Sequence, residues 1–120
     1  FLIGTLPVGV CEAQEVLEIS VDEAAKAMVD RQFDVILDVR QPQEYNLMHI
    51  PGAILIPLNT LKEETQEKLG DPDSSILAYC SIGGRSLEAT KILENMGYTN
   101  VVNLKGGIVE WKKKGYPVIE

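Results

Sequence analysis

One short stretch of the sequence combines residue types that together support nucleophilic chemistry. Residues 78–86 read AYCSIGGRS, in which Cys80 ends an apolar run and is followed by Gly83, Gly84 and Arg85. The glycines permit a tight turn whose backbone N–H groups point inward. A thiol enclosed by such groups is stabilised as its anion, which lowers its pKa and makes it a nucleophile at neutral pH. Cys80 is therefore the candidate catalytic residue.

The residues after this cysteine form a candidate anion-binding loop. A helix is predicted to begin near Arg85, so that its free N-terminal N–H groups and its positive dipole end face the thiol. Taken alone, a cysteine at the end of an apolar strand is more often a core residue than a nucleophile. The polar, glycine-rich turn after Cys80 favours the nucleophile instead, because a cysteine packed in the interior does not require a turn of this kind. The predicted substrate-binding residues are Ser81, Ile82, Gly83, Gly84, Arg85 and Ser86.

The elements that must position this loop alternate along the chain. Ser20 and Glu23 have the spacing of a capping box ahead of an alanine-rich helix. Further helices lie between and after short strands that are almost wholly apolar. This alternation predicts an α/β fold, a five-stranded parallel sheet with helices on both faces. The predicted strands are residues 15–19, 33–40, 53–58, 75–80 and 100–104.

Polar or glycine residues follow three of the predicted strands. Asp38 and Arg40 end the second strand, Cys80 ends the fourth, and the run KGG at residues 105–107 follows the fifth. In a parallel α/β sheet, sites form beyond the carboxyl ends of the strands. We therefore expect these groups to be neighbours in space.

Composition excludes several classes of partner and site. The chain of 120 residues has a formal net charge of −7, which argues against binding to nucleic acid or to an anionic membrane, since both need a basic surface. One histidine and two distant cysteines, Cys11 and Cys80, argue against a zinc site. Their settings differ so much that a disulfide between them is not expected. We expect no metal and no cofactor.

The N-terminal residues differ from the rest. Residues 1–14 are apolar through Val10 and then polar, as in the second half of a secretion signal or in a linker. The apolar run is too short to span a bilayer. We expect a tail at residues 1–14 and one domain at residues 15–120, with a cytoplasmic and an exported location both open.

Three segments carry motifs that occur together in a known family. Residues 35–58 contain D-V-R, E-Y and H-I-P-G-A, residues 79–86 contain the loop YCSIGGRS, and residues 97–118 contain G-G-x-x-x-W. In this order and spacing they resemble the single-domain rhodaneses, the thiosulfate sulfurtransferase family. The resemblance covers residues 15–120. It implies a five-stranded parallel sheet flanked by helices, in agreement with the elements predicted above.

The resemblance implies a thiosulfate sulfurtransferase that works through a persulfide on Cys80. The thiolate would take the outer sulfur of a small anionic donor, thiosulfate or polysulfide. Cyanide or a thiol, on a small molecule or a small protein, would then collect it. The N–H groups of residues 81–86 would stabilise the charged persulfide. Arg85 would attract the donor or brace the loop.

Three further side chains are assigned by the same resemblance. Asp38 and Arg40 would lie beside the loop as supporting residues, with Asp38 accepting hydrogen bonds and Arg40 pairing with Glu44. His49 is the single histidine of the sequence, and its motif looks like a turn that places the third strand. A thiolate stabilised by backbone N–H groups needs no base, so we do not expect His49 to act on Cys80.

Two other functions remain open at this point. A non-enzymatic persulfide carrier or regulatory binding module has the same fold, although such modules usually lack the cysteine that this chain retains. Phosphatases and arsenate reductases of this fold have a ring between cysteine and arginine that is one residue longer, which makes room for a tetrahedral phosphate. Four residues separate Cys80 from Arg85 here, so the sequence favours sulfur transfer.

Overall fold

Five short strands and five helices alternate in the computed structural model, which describes residues 17–120. A 3-10 turn, Leu58–Thr60, leads into the third helix. The strands are β1 (Leu17–Ile19), β2 (Val35–Asp38), β3 (Ala53–Leu55), β4 (Ile76–Tyr79) and β5 (Val101–Leu104). The helices are α1 (Val21–Val29), α2 (Pro42–Leu47), α3 (Leu61–Lys68), α4 (Gly84–Asn95) and α5 (Gly107–Lys113).

All five strands are parallel, and they form one sheet in the order β1-β5-β4-β2-β3. This confirms the predicted α/β fold. The strands are shorter than predicted, and β3 ends at Leu55 instead of continuing to Leu58. Pro57 supplies no N–H for a strand ladder, and the chain turns there into the 3-10 segment.

The central strand β4 is buried on both faces and carries the chain to the candidate nucleophile. Its four residues are all buried. Ile76 and Cys80 pack into the core cluster that includes residues of α3 and α4, whereas Leu77 and Tyr79 pack into the cluster that includes residues of α1 and α5. Because side chains alternate along a strand, Cys80 lies at the end of β4 on the face that α4 covers.

The first helix begins with the capping box that the sequence predicts. The Glu23 N–H donates to Ser20 Oγ at 3.1 Å, and the Ser20 N–H donates to Glu23 Oε1 at 3.0 Å. These two bonds satisfy N–H groups that a helix start leaves without partners. The cap fixes where the chain leaves β1 and enters α1.

Several sequence-based expectations concern residues that the structure does not describe. The tail at residues 1–14 and Cys11 lie outside the described range, and the division of the chain at residue 15 stays a prediction. Within residues 17–120, no helix is long and apolar enough to cross a membrane. In the same range, no group of His, Cys, Asp and Glu side chains has the arrangement of a metal site.

A buried ion pair ties the end of β2 to β4 and to the segment between α2 and β3. Arg40 donates from Nε and Nη2 to the two carboxylate oxygens of Asp38 at 3.0 and 2.8 Å, and from Nη2 to Met48 O at 2.6 Å. The Tyr79 hydroxyl donates to Asp38 Oδ2 at 2.7 Å and accepts from the Ile50 N–H at 3.1 Å. Burial and the nearby Asp38 charge raise the pKa of Tyr79, so this hydroxyl keeps its proton. Paired charges of this kind tolerate burial because their polar atoms are satisfied.

We predict that Asp38→Asn destabilises the fold strongly. The substitution leaves the buried Arg40 without its counter-charge, which costs about 3–5 kcal/mol in comparable cases. The free energy of unfolding, measured by urea denaturation, should fall by that amount. Asp73→Asn, at an exposed loop position, is the matched control and should change it little. Equal effects of the two substitutions would contradict the assigned role of the buried pair.

Candidate active site

The sulfur of Cys80 lies inside a ring of hydrogen-bond donors. Cys80 follows β4 directly and is only 1% exposed. Its Sγ accepts hydrogen bonds from the Gly83 N–H at 3.1 Å and from the Ser86 hydroxyl at 3.4 Å. Burial by itself raises the pKa of the thiol, but the Ser86 hydroxyl and the backbone N–H groups of Ser86, Gly83 and Arg85 outweigh it, and the net pKa is lowered. The site therefore favours a thiolate.

The start of α5 holds the carbonyl groups at the beginning of this loop. The Ile108 N–H donates to Cys80 O at 2.9 Å, and the Val109 N–H donates to Ser81 O at 3.1 Å. The C=O and N–H groups on either side of a trans peptide bond point in opposite directions. With both carbonyls bound to α5, the N–H groups of Ser81 and Ile82 point away from that helix.

Gly107 is required for this contact between the loop and α5. Its φ is +63°, and a Cβ built there would lie 2.2 Å from Ser81 O and 2.6 Å from Cys80 O. No side chain fits at these distances. The predicted proximity of the glycine run after β5 to the loop is thus observed in the structure, and the absence of a side chain at Gly107 permits the close approach.

Asn103 on β5 holds the loop from a second direction. Its buried amide donates from Nδ2 to Gly83 O at 3.3 Å and to Glu18 Oε2 at 2.8 Å. Gly83 has a φ of +116°, a conformation that glycine adopts at little cost. Asn103 is not among the site residues predicted from the sequence, although its polar side chain interrupts the apolar run at residues 101–104.

Arg85 forms a two-point ion pair with Glu44 of α2. Arg85 Nη1 donates to Glu44 Oε1 at 2.9 Å, and Nη2 donates to Glu44 Oε2 at 3.0 Å. Ser81 Oγ accepts from Arg85 Nη2 at 3.0 Å and donates to Glu44 Oε2 at 3.3 Å. The hydrogen bonds from Arg85 lower the pKa of Glu44 to about 2, so the carboxylate is charged at neutral pH. The pair braces the loop against α2.

This pairing corrects one expectation and refines another. Arg40 was expected to pair with Glu44, but it pairs with Asp38, which is two residues away and equally buried. In the described structure, the side-chain hydrogen bonds of Asp38 and Arg40 reach each other, Met48 and Tyr79, and none reaches residues 81–86. They contact Tyr79, the last residue of β4, which directly precedes Cys80. Their contact with the loop is thus indirect, through the strand that carries the cysteine.

His49 lies in a separate set of contacts. Its Nδ1 makes a hydrogen bond with Tyr45 O at 2.9 Å, and its ring stacks on the Tyr45 ring with centroids 3.9 Å apart. Its backbone forms an antiparallel bridge with Ile119. No described hydrogen bond joins His49 to Cys80. These contacts fit the expected role in placing the turn before β3.

Two predicted loop residues face solvent. Ile82 is 72% exposed, and Gly84 is exposed at the first position of α4. Arg85 and Ser81 of the same loop are partly exposed. The exposed surface of the loop therefore combines one apolar side chain with one ion pair.

Comparisons with known proteins point to a single family, and several of the matching relatives are named as sulfurtransferases. The profile of the rhodanese-like domain matches residues 20–114. The sulfurtransferase of Allochromatium vinosum is 32% identical over 102 residues, which cover 85% of this chain and 94% of that protein. The thiosulfate:glutathione sulfurtransferase of Saccharomyces cerevisiae is 35% identical over 92 residues, 68% of this chain and 66% of that protein. The crystal structure of a rhodanese-related protein from Thermoplasma volcanium superimposes with a TM-score of 0.75 and 31% identity, over 86% of this chain and 97% of that chain.

We predict that the pKa of the Cys80 thiol lies below that of a free cysteine and that Ser86→Ala raises it. The substitution removes a donor to Sγ while filling nearly the same space. The thiolate absorbance near 240 nm, titrated as the difference between the protein with and without Cys80→Ser, reports this pKa. Ser81→Ala, which removes a hydroxyl that bonds to Glu44 and Arg85, is the matched control. A thiol pKa that Ser86→Ala leaves unchanged would contradict the ring of donors.

We also predict that Gly107→Ala destabilises the protein by at least about 2 kcal/mol, because the new Cβ collides with the loop backbone in a left-handed conformation. Gly84→Ala is the matched control, since open space surrounds its Cβ position. That variant should change the free energy of unfolding by less than about 1 kcal/mol. Thermal and urea denaturation measure both. A Gly107→Ala variant that is as stable as the wild-type protein would contradict this role of Gly107.

Proposed function

This chain belongs to the rhodanese-like domain family, and from that premise we propose that it moves sulfane sulfur from thiosulfate or a similar donor to cyanide or a thiol acceptor through a persulfide on Cys80. Its relatives named as sulfurtransferases support sulfur transfer as the general activity. The observation that carries the finer proposal is the ring of donors around Cys80 Sγ, which favours an anion at this sulfur.

The first half of the reaction loads Cys80. The thiolate attacks the outer sulfur of thiosulfate, a bond forms between Sγ and that sulfur, and the S–S bond of the donor breaks. The bonding electron pair leaves with the inner sulfur as sulfite, and Cys80 becomes a persulfide anion. An S–S bond is about 2.05 Å long, so the transferred sulfur extends from the nearly buried Sγ by that distance.

The second half of the reaction discharges the persulfide. Cyanide attacks the outer sulfur, leaves as thiocyanate and returns Cys80 to the thiolate; a thiol acceptor becomes a persulfide in the same way. The loop N–H groups that stabilise the thiolate also support the charge of the persulfide in the interval. The yeast relative named as a thiosulfate:glutathione sulfurtransferase supports a low-molecular-weight thiol as acceptor.

The ion pair at Arg85 argues against phosphate chemistry at this site. A phosphate group held by a loop needs donors that are free to bind its several oxygens. Here Arg85 donates to both carboxylate oxygens of Glu44 and to Ser81 Oγ. The four residues between Cys80 and Arg85, one fewer than in phosphatases of this fold, also argue against phosphate binding.

We predict that Cys80→Ser lowers the rate of thiocyanate formation from thiosulfate and cyanide by more than about a thousandfold, the scale on which loss of a covalent nucleophile acts. Far-ultraviolet circular dichroism and urea denaturation should show that the variant stays folded. Cys11→Ser, the other cysteine of the chain, is the control and should retain activity. Undiminished thiocyanate formation by Cys80→Ser would refute the persulfide route. If the wild-type protein forms a persulfide on Cys80 but produces no thiocyanate, the chain is a sulfur carrier instead of an enzyme.

A further inference from the structure

We propose that Glu44 sets the charge preference of the Cys80 site and favours sulfane-sulfur donors that carry one negative charge and an organic group over dianionic thiosulfate. The inference rests on the proposed sulfur transfer and adds the class of donor that the site accepts best. Glu44 is then a specificity-determining residue, which acts through its charge and forms no bond to the transferred sulfur.

The first observation is that Arg85, the one cationic residue of the loop at residues 81–86, is already paired with a carboxylate. Arg85 directs Nη1 and Nη2 at the two oxygens of Glu44, at 2.9 and 3.0 Å, and shares Nη2 with Ser81 Oγ. A planar guanidinium binds a carboxylate in this two-point manner better than most other partners. An incoming anionic donor must therefore compete with Glu44 for Arg85.

The second observation is the charge that remains near the sulfur. Hydrogen bonds from Arg85 hold the pKa of Glu44 at about 2, so the two side chains cancel each other's charge at neutral pH. Arg85 is the single charged residue of the loop at residues 81–86. The thiolate of Cys80 then leaves the site with a net negative charge, in a chain whose formal net charge is −7. A dianion approaches such a site against repulsion, and a monoanion meets about half of that repulsion.

The third observation concerns the surface that the rest of the donor meets. Ile82 is 72% exposed and lies in the loop that encloses the sulfur. Contact of this side chain with an organic group removes apolar surface of both from water. Thiosulfate has no such group. Organic thiosulfonates and persulfides do have one, on the sulfur that departs.

A thiosulfonate reacts with the same balance as thiosulfate. In methanethiosulfonate, a methyl group replaces one charged oxygen of thiosulfate, so that the two donors differ by one unit of charge at similar size. The Cys80 thiolate bonds to the outer sulfur, the S–S bond breaks, and the electron pair leaves with methanesulfinate in place of sulfite. Both donors leave the same persulfide on Cys80, and cyanide converts it to thiocyanate in both cases.

The test compares kcat/KM for the two donors, with cyanide as acceptor and thiocyanate as the common product. A unit charge acting on a dianion about 6 Å away through a water-like dielectric corresponds to about a tenfold effect. We expect Glu44→Gln to raise kcat/KM about tenfold for dianionic thiosulfate and about threefold for monoanionic methanethiosulfonate, and so to lower the ratio of methanethiosulfonate to thiosulfate activity about threefold. Glu67→Gln, exposed near the end of α3, makes the same change in net charge and should leave the ratio unchanged, because solvent and salt screen a charge at that distance. Taking the ratio cancels effects on loop geometry that act on both donors equally.

Ionic strength provides a second test on the wild-type protein. Because salt screens exposed charges, with a Debye length of about 30 Å at 0.01 M and about 3 Å at 1 M, the donor ratio should fall as salt rises. This dependence should weaken in Glu44→Gln. A ratio that neither Glu44→Gln nor salt changes would overturn the proposal, and if the variant does not fold, the wild-type salt dependence decides. Failure of wild-type protein to form thiocyanate from either donor would refute the proposed function itself.

Discussion

Two backbone hydrogen bonds determine the shape of the candidate site. The N–H groups of Ile108 and Val109, at the start of α5, bind the carbonyl groups of Cys80 and Ser81 at the end of the central strand. They fix the first peptide units of the loop, and the following residues curl so that Gly83 and Ser86 donate to the sulfur. Many further requirements follow from this contact. Gly107 must lack a side chain, β5 must lie beside β4, and α5 must begin directly after β5.

The two ion pairs of the site differ in what surrounds them and therefore in what they do. Asp38 and Arg40 are buried, bind Tyr79 and Met48, and join β2 to the strand that carries the cysteine. Arg85 and its partner Glu44 are 38% and 33% exposed, so solvent and donors can reach them. A buried pair cannot separate without leaving an unpaired charge, whereas a partly exposed pair contributes less to stability and can act on the charge that an approaching donor meets. The first is suited to support, and the second is suited to discrimination between donors.

The sequence was sufficient to predict the fold, because its signals are local. Apolar strands separated by helices, and the capping box at Ser20, predict the alternation of elements, and the parallel sheet follows from it. The predicted ends of the strands were less accurate. Pro57, for example, has no N–H to donate to a neighbouring strand, so the chain leaves the sheet before it.

Side-chain partners across the sheet were harder to predict. On charge alone, either Arg40 or Arg85 can form an ion pair with Glu44. The structure shows that Arg40 pairs with Asp38 and that Arg85 pairs with Glu44. Asn103 was missed because its partners, Gly83 and Glu18, are 20 and 85 residues away in sequence. Such contacts depend on strand order, which no local pattern specifies. Gly107 was predicted to lie near Cys80, but its close approach to the loop backbone is visible only once α5 is packed against β4.

The central claim is that the loop stabilises sulfur as an anion on Cys80, and peptide mass spectrometry tests it most directly. The protein is incubated with thiosulfate, digested under non-reducing conditions, and each cysteine-containing peptide is weighed before and after addition of cyanide. The account predicts a gain of one sulfur atom on the peptide that contains Cys80 and its loss with cyanide. Sulfur found on the peptide that contains Cys11, or on neither peptide, would contradict the account.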